Sequence, residues 1–423
     1  MSMDEAGRTA ERVARESYGR LVAFLAARTR DVAGAEDALS DAFAAALHAW
    51  PEAGVPDNPD AWLLTAARHR QIDAARRGDT RRSGEGYLHL IAEEIATQSE
   101  ESDAIPDRRL ALMFACAHPA IERSMRAPLI LQTILGLTAE DIATAFLLPA
   151  ATMGQRLLRA KTRLRDAGIP FRIPDTRELP ERLAAVLDAI YAAYTKGWNE
   201  VGEAANPALV EEALWLGQLI VSLLPTEPEA MGMLALMIYT SARGPARRDP
   251  TGAYVPLANQ DTGRWDHALL ALAERLLGQA SAAGPSGRYQ LEAAIQSAHV
   301  ARRMTGVANW AAVVALYDHL FALTESPVVF LNRAVARAEL AGPQVALAEL
   351  KPLETDKRMR SYQPYWAAKG QLLYRIGEQA AAAEALTVAV GLTTDPAVRA
   401  FLVAQLASIP LATRTTTGER RRP

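Results

Sequence analysis

From Ala10 to Leu164 apolar residues recur three and four positions apart, with no run of alternating β-branched residues, so the pattern predicts helix after helix and no strands. Wound at a helical period, Gly34 to Trp50 sets Leu39, Phe43, Leu47 and Trp50 in one apolar stripe and leaves Asp37, Asp41 and His48 opposite. Two carboxylates one turn apart repel weakly, which suits a basic partner surface better than the stability of the helix itself. A further helix is expected over Ala61–Arg77, with Asn58 as its cap and Pro59 at its first position. Trp62, His69, Asp73 and Arg76 fall along one of its faces, with Arg70 and Arg77 beside them.

The clearest local pattern lies between Gly136 and Arg165. Thr138, with Asp141 three residues on, predicts a capping-box start, and Ile142, Ala145 and Phe146 form the expected core face. After a short turn at Leu147–Ala151, Met153, Leu157, Ala160 and Leu164 keep an apolar stripe. Arg156, Arg159 and Arg163 project from another side, flanked by Gln155 and Lys161, with Thr152 opening the helix. Two helices joined tightly, the second carrying an arginine row, fit a helix-turn-helix whose second helix enters the DNA major groove.

Gly168, Pro170 and Pro174 interrupt the periodicity and predict a boundary there. The rest, from Glu178 to Ser408, is again helical, with loops expected at 243–262 and 280–287. Trp366, Gly370, Leu373, Ala382, Leu386 and Ala389 sit at the offsets of a tetratricopeptide helix pair, and Phe330, Ala334, Ala346 and Leu350 echo four of those offsets about 36 residues earlier. The expected class is all-α: two small helical domains over 10–82 and 108–168, joined by a linker over 83–107, then a helical domain over 178–408 and a disordered tail over 413–423.

Composition sharpens this picture in two ways. The 423 residues are half apolar with a single cysteine, Cys116, which excludes an intramolecular disulfide and a paired-thiolate zinc site. No apolar stretch approaches the roughly 20 residues of a membrane span, and no charged-then-apolar leader opens the chain, so a cytoplasmic protein is expected. The net charge of -3 is an average over unlike segments: residues 68–82 hold six Arg against two Asp, whereas 83–107 hold seven acidic residues and no Lys or Arg.

An aromatic ring, an imidazole and several guanidinium groups on the Trp62–Arg77 surface are what is needed to stack an unpaired base and hold its phosphates. Arg can also pair with guanine edges and Gln with adenine, which suits Gln155, Arg156 and Arg159 to duplex readout. The chain holds no Walker A loop, GxGxxG, GxSxG or HExxH, and no catalytic, cofactor or metal residue is assigned. A helix-turn-helix regulator acting without polymerase remains an alternative. So does a C-terminal half with its own ligand or enzymatic role, using Tyr191, Trp198 and Glu200, or Asp261, Arg264 and Asp266.

In this order the blocks resemble an extracytoplasmic-function (ECF) sigma factor of bacterial RNA polymerase. GAEDALSDAFAAALHAW resembles the core-polymerase-binding segment, DAWLLTAARHRQIDAARR the helix that reads the melted -10 element, and GLTAEDIATAFLLPAATMGQRLLRAKTRLR the -35 helix-turn-helix. The phrases RLLRAKTRLRDAGIPF and NQDTGRWD are similar to the subgroup with a long tetratricopeptide-like C-terminal region. The resemblance implies that Asp37 and Asp41 contact the polymerase β′ clamp helices, and that Trp62, His69, Arg70, Arg76 and Arg77 serve the -10 strand. It further implies that Thr152, Gln155, Arg156, Arg159, Lys161 and Arg163 serve the -35 duplex. His69 stands where many such factors carry Asn, Gly154 and Gln155 where Lys and Ser are frequent, and Asn259 and Thr262 where Asp and Arg are expected. Cys116-Ala117-His118-Pro119 lacks one cysteine of the subgroup's Cys-Cys-His-Pro run. The implied partners are core RNA polymerase, promoter DNA and a protein or peptide ligand of the C-terminal domain.

Overall fold

The computed structural model describes residues 3–79, 108–146, 148–175, 177–199 and 207–410. The acidic linker 83–107, Glu200 and the tail 413–423 lie outside them. Among the described residues there is no strand, only an isolated antiparallel bridge between Arg248 and Tyr254, so the all-α expectation holds. No described helix is long and apolar enough to cross a membrane. The chain forms two compact units, residues 1–213 and 214–423.

The first unit opens with α1 (Met3–Thr29), α2 (Val32–Ala53) and α3 (Pro59–Asp79). Asp31 starts α2 by accepting a hydrogen bond from the Gly34 amide, and Asn58 starts α3 by accepting one from the Ala61 amide at 3.1 Å, as the Asn-Pro signal predicts. Arg20 and Ser17 on α1 both bind the Asp60 carboxylate, tying α1 to the first turn of α3. The three helices close on Leu21, Leu25, Leu39, Trp50, Leu63 and Ala67, all buried. Leu47 is not among them. α2 buries small residues, Ala35, Ala38, Ala42 and Ala46, and this narrow alanine seam turns Leu47 outward to 52% exposure.

After the linker come α4 (Arg109–Cys116), α5 (Arg123–Leu135), α6 (Ala139–Ala145) and α7 (Ala150–Asp166). The capping box at the start of α6 is present: the Asp141 amide donates to the Thr138 hydroxyl and the Thr138 amide to the Asp141 carboxylate. Met153, Leu157, Ala160 and Leu164 are buried as the stripe predicts. The core face of α6 is narrower than expected. Ile142 and Ala143 are buried, while Ala145 is exposed and Phe146 half-buried, because the seven-residue helix ends before a second turn can face inward. Gly136 ends α5 in the left-handed conformation, φ 64°, that glycine tolerates without strain.

The first unit does not end at the Gly168 break. α8 (Leu179–Asn199) packs on α5, and the division between units falls within α9 (Pro207–Leu223). Buried Arg126 on α5 accounts for this. Its guanidinium donates to the Ile121 carbonyl at 3.1 Å and to the Glu181 carboxylate of α8 at 3.1 Å, partners a buried charge cannot do without.

In the second unit, α10 (Pro228–Ala242) is buried almost all round between α11 (His267–Ala283) and α12 (Arg288–Val300). Residues 243–266 form an irregular connection built of short 3-10 turns. Then α13 (Trp310–Thr324), α14 (Pro327–Ala341), α15 (Pro343–Leu350), α16 (Gln363–Arg375), α17 (Gln379–Leu392) and α18 (Pro396–Ala407) pack in succession. At Gly370 a β-carbon would stand 2.8 Å from Leu386, so only glycine lets α16 and α17 approach so closely. Ala334, Ala346 and Leu350 line one cluster, and Ala382, Leu386 and Ala389 the next.

Candidate functional site

On α2, Asp37 and Asp41 are exposed one turn apart, and the same side continues through Ala44 to Leu47 and His48. The result is a mixed strip, acidic at one end and apolar at the other. Glu36, next to Asp37, faces the other way and pairs with Lys161 of α7, both side chains little exposed. Burial pushes the Glu36 carboxyl above its ordinary range, opposed by Lys161, and the Tyr18 hydroxyl is raised by burial and by the charges of Glu36 and Asp37.

On α3, His69, Arg70 and Asp73 are exposed, while Trp62 is half-buried with its ring edge-to-face against Trp50, centroids 5.6 Å apart. Trp62 thus closes the core on one side and is open on the other. Arg76 and Arg77 lie in the last turns of α3, their side chains outside the described residues. Arg68 turns inward, its guanidinium 5.0 Å from the centre of the Phe24 ring.

On α7, Thr152, Gln155, Arg159 and Arg163 are exposed at intervals of three or four residues and share one face. Lys161 does not join them. It stands two positions from Arg163, about 200° round the helix, and reaches Glu36 instead. Leu158, 64% exposed, sits beside Arg159 and was not singled out by the apolar periodicity, which selects buried positions. Arg156 is drawn back from the row by two partners at the start of α5: its Nη2 donates to Glu122 Oε1 at 2.8 Å and to Ser124 Oγ at 2.6 Å. The Ser124 hydroxyl in turn donates to Glu122 and, together with Arg156, holds that carboxyl below the usual range. Between α7 and the 120–125 segment runs a groove of about 410 Å³ lined by Glu122, Thr152, Gln155, Arg156, Arg159 and Arg163.

Behind this groove α8 braces the α5–α7 bundle. Lys196 pairs with the capping-box carboxylate of Asp141 at 2.9 Å. Burial alone would raise Asp141, but the hydrogen bonds from Thr138 and Lys196 outweigh it and hold the carboxyl low. Arg182, almost fully buried, pairs with Glu178 at 3.3 Å, and Arg109 of α4 pairs with Glu212. Cys116 is buried against the Thr133 hydroxyl at 3.6 Å, with its thiol pushed up to about 12 by burial. Among the described residues no group of three His, Cys, Asp or Glu could hold a metal ion.

The residues weighed for chemistry in the C-terminal half do structural work where they are described. Tyr191, Tyr194 and Trp198 stack along α8 at 6.4 and 6.1 Å. Asp261 accepts from the Gly263 amide, Asp266 accepts from the amides of Ala268 and Leu269 to cap α11, and Arg264 donates to the Arg248 carbonyl.

Residues 13–81, which span α1 to α3 and carry the acidic strip and the Trp62–Arg77 surface, match sigma-70 region 2. The match supports a sigma-factor role in transcription initiation and implies binding of core RNA polymerase and promoter DNA. Residues 182–281 match a family of unknown function, DUF6596. An uncharacterized protein of Rhizobium meliloti (strain 1021) is 35% identical over 395 residues, 92% of this chain and 93% of that one. No solved structure matches the chain.

Proposed function

We propose that this chain is a sigma factor of the extracytoplasmic-function type, with region 2 over 10–82, an acidic linker over 83–107, region 4 over 108–168 and a regulatory helical extension over 178–408. The carrying observation is that the first unit presents three separate faces in the order such a factor needs: the Asp37–Asp41 strip, the His69–Arg70 surface, and the Gln155–Arg159–Arg163 row. The acidic strip docks on the polymerase clamp helices. Trp62, His69 and Arg70, with Arg76 and Arg77 after them, stack and hold unpaired bases of the -10 strand. α6 and α7 act as a helix-turn-helix in which Thr152, Gln155, Arg156, Arg159 and Arg163 meet the -35 duplex.

The factor works by differential binding, since contacts available only in melted promoter favour the open state. Its arginine contacts to phosphate make that binding steeply salt-dependent. In the extension, the α14–α15 and α16–α17 pairs are read as tetratricopeptide-like repeats that take a protein or peptide and modulate the factor.

In-vitro transcription with purified core polymerase on a promoter library is the test. Promoter-specific transcripts that vanish with Asp37→Arg plus Asp41→Arg support the reading. Binding of a duplex operator without any association with core polymerase would replace it with that of an independent regulator.

A further inference from the structure

We infer that Glu122 is a positioning residue for promoter readout: it holds Arg156 at one base pair of the -35 duplex and so sets base preference there. The inference rests on reading α7 as the -35 helix.

A carboxylate in this place needs an explanation. Glu122 is 67% exposed by its side chain and lines the same groove as Arg156, Arg159 and Arg163, where phosphates of a bound duplex would lie. A negative charge there weakens attraction to DNA unless it performs another task. It does not perform the usual one for its position. Glu122 is the residue before α5, yet its side chain makes no capping hydrogen bond to the helix amides. It turns across the groove to Arg156 instead, and Ser124, one residue into the helix, closes the triangle. The positive end of α5 further favours the ionised carboxylate at this point.

The consequence for Arg156 is directional. Both contacts fall on Nη2, and they hold the guanidinium on the shoulder of α7, about 100° round the helix from Gln155. Neither contact takes Nη1 or Nε. A free arginine on a DNA-facing helix samples many rotamers and falls readily onto phosphates, which carry no sequence information. An arginine braced by a carboxylate keeps one approach, and its remaining N–H groups can meet a base edge without paying the full cost of ordering the side chain. Arg159 and Arg163, which are exposed on the neighbouring face, supply affinity.

The prediction separates positioning from both plain attraction and plain stability. With the full chain bound to core polymerase, binding is measured on duplexes randomised across the -35 hexamer. Glu122→Ala should flatten the preference at one base pair by about five-fold or more, while affinity for non-promoter DNA stays level or rises a few-fold, because a negative charge has left the groove. Glu122→Gln, which removes the charge but keeps an acceptor, should raise non-promoter affinity equally and keep most of the preference. Ser124→Ala should flatten the same base pair more weakly. In an Arg156→Ala background, Glu122→Ala should add nothing to the preference profile. An unaltered profile for Glu122→Ala, or an equal loss of affinity on all sequences, would overturn the inference while leaving the -35 reading intact. If Arg159→Ala plus Arg163→Ala also leaves -35 binding unchanged, the reading itself fails and this inference with it.

Discussion

The carbonyl oxygen of Ile134 lies 1.8 Å from where a β-carbon on Gly19 would be. α1 and α5 therefore touch backbone to backbone, and this close approach joins the region carrying the acidic strip to the region carrying the arginine row. Gly19→Ala must force the two helices apart. It should cost about 1–3 kcal/mol in thermal unfolding and lower the cooperativity of the first unit's transition.

Glu36 and Lys161 make the second such joint, and they are ionic. Lys161→Ala leaves a little-exposed carboxylate without its cation and should destabilise by about 3 kcal/mol, whereas Lys161→Met with Glu36→Gln should recover most of the loss. The pH dependence follows from the sign of the shift. A carboxyl raised above 4.5 in the folded protein contributes stability that is present below that pH and lost as pH rises through its folded value. Unfolding measured from pH 4 upward should show that decline, and Glu36→Gln should flatten it.

Leu47 is exposed at the apolar end of the acidic strip, so Leu47→Asp should leave the melting temperature within about 1 °C and weaken association with core polymerase by about ten-fold. Titration of labelled protein with core polymerase measures it. A fall in melting temperature without loss of binding would place Leu47 outside the interface.

A chain ending at Gly168 loses Glu181 and Lys196, and with them the ion-pair partners of buried Arg126 and of Asp141. It should unfold at markedly lower denaturant than a chain ending at Ala213, which keeps α8. Equal midpoints for the two would show that α8 adds no stability to the α5–α7 bundle.

His299 in the second unit is held neutral to about pH 4, chiefly by burial and also by Arg243 and Arg302. A lowered histidine contributes stability that is present above 6.5 and lost as pH falls through its folded value, a penalty of up to about 3 kcal/mol. The second unit should accordingly weaken between pH 6.5 and 4, and proton NMR should find the imidazole still neutral at pH 5.5.

Much of this was legible in the chain because one physical rule governs it. A helix packed on one face buries every third or fourth residue, so Met153, Leu157, Ala160 and Leu164 on α7 declare themselves, as do the Asn58 and Thr138 starts. Leu47 escaped that rule because alanines, with little side chain to bury, do the packing on α2 and leave a leucine at the seam's edge. Lys161 looked like its arginine neighbours because a helix alone does not show that a carboxylate 125 positions earlier will fold against it. The Gly168 break falls inside the first compact unit, where a partner of buried Arg126 comes from beyond it, a contact that no local pattern announces. Glu122 gave no signal at all, for its meaning lies in the distance to Arg156 across a groove.

The two joints between the early helices and the α5–α7 bundle also set a length. A compact unit of some 200 residues is roughly 45 Å across, yet promoter elements named for positions 35 and 10 before the start site lie about 25 base pairs apart, or about 85 Å along a straight duplex. On the proposed sigma-factor reading, gripping both at once would require surrendering the Gly19–Ile134 and Glu36–Lys161 contacts. Promoter binding on this account is an exchange of internal adhesion for external grip, and variants that loosen either joint should bind spaced promoters more readily while being less stable on their own.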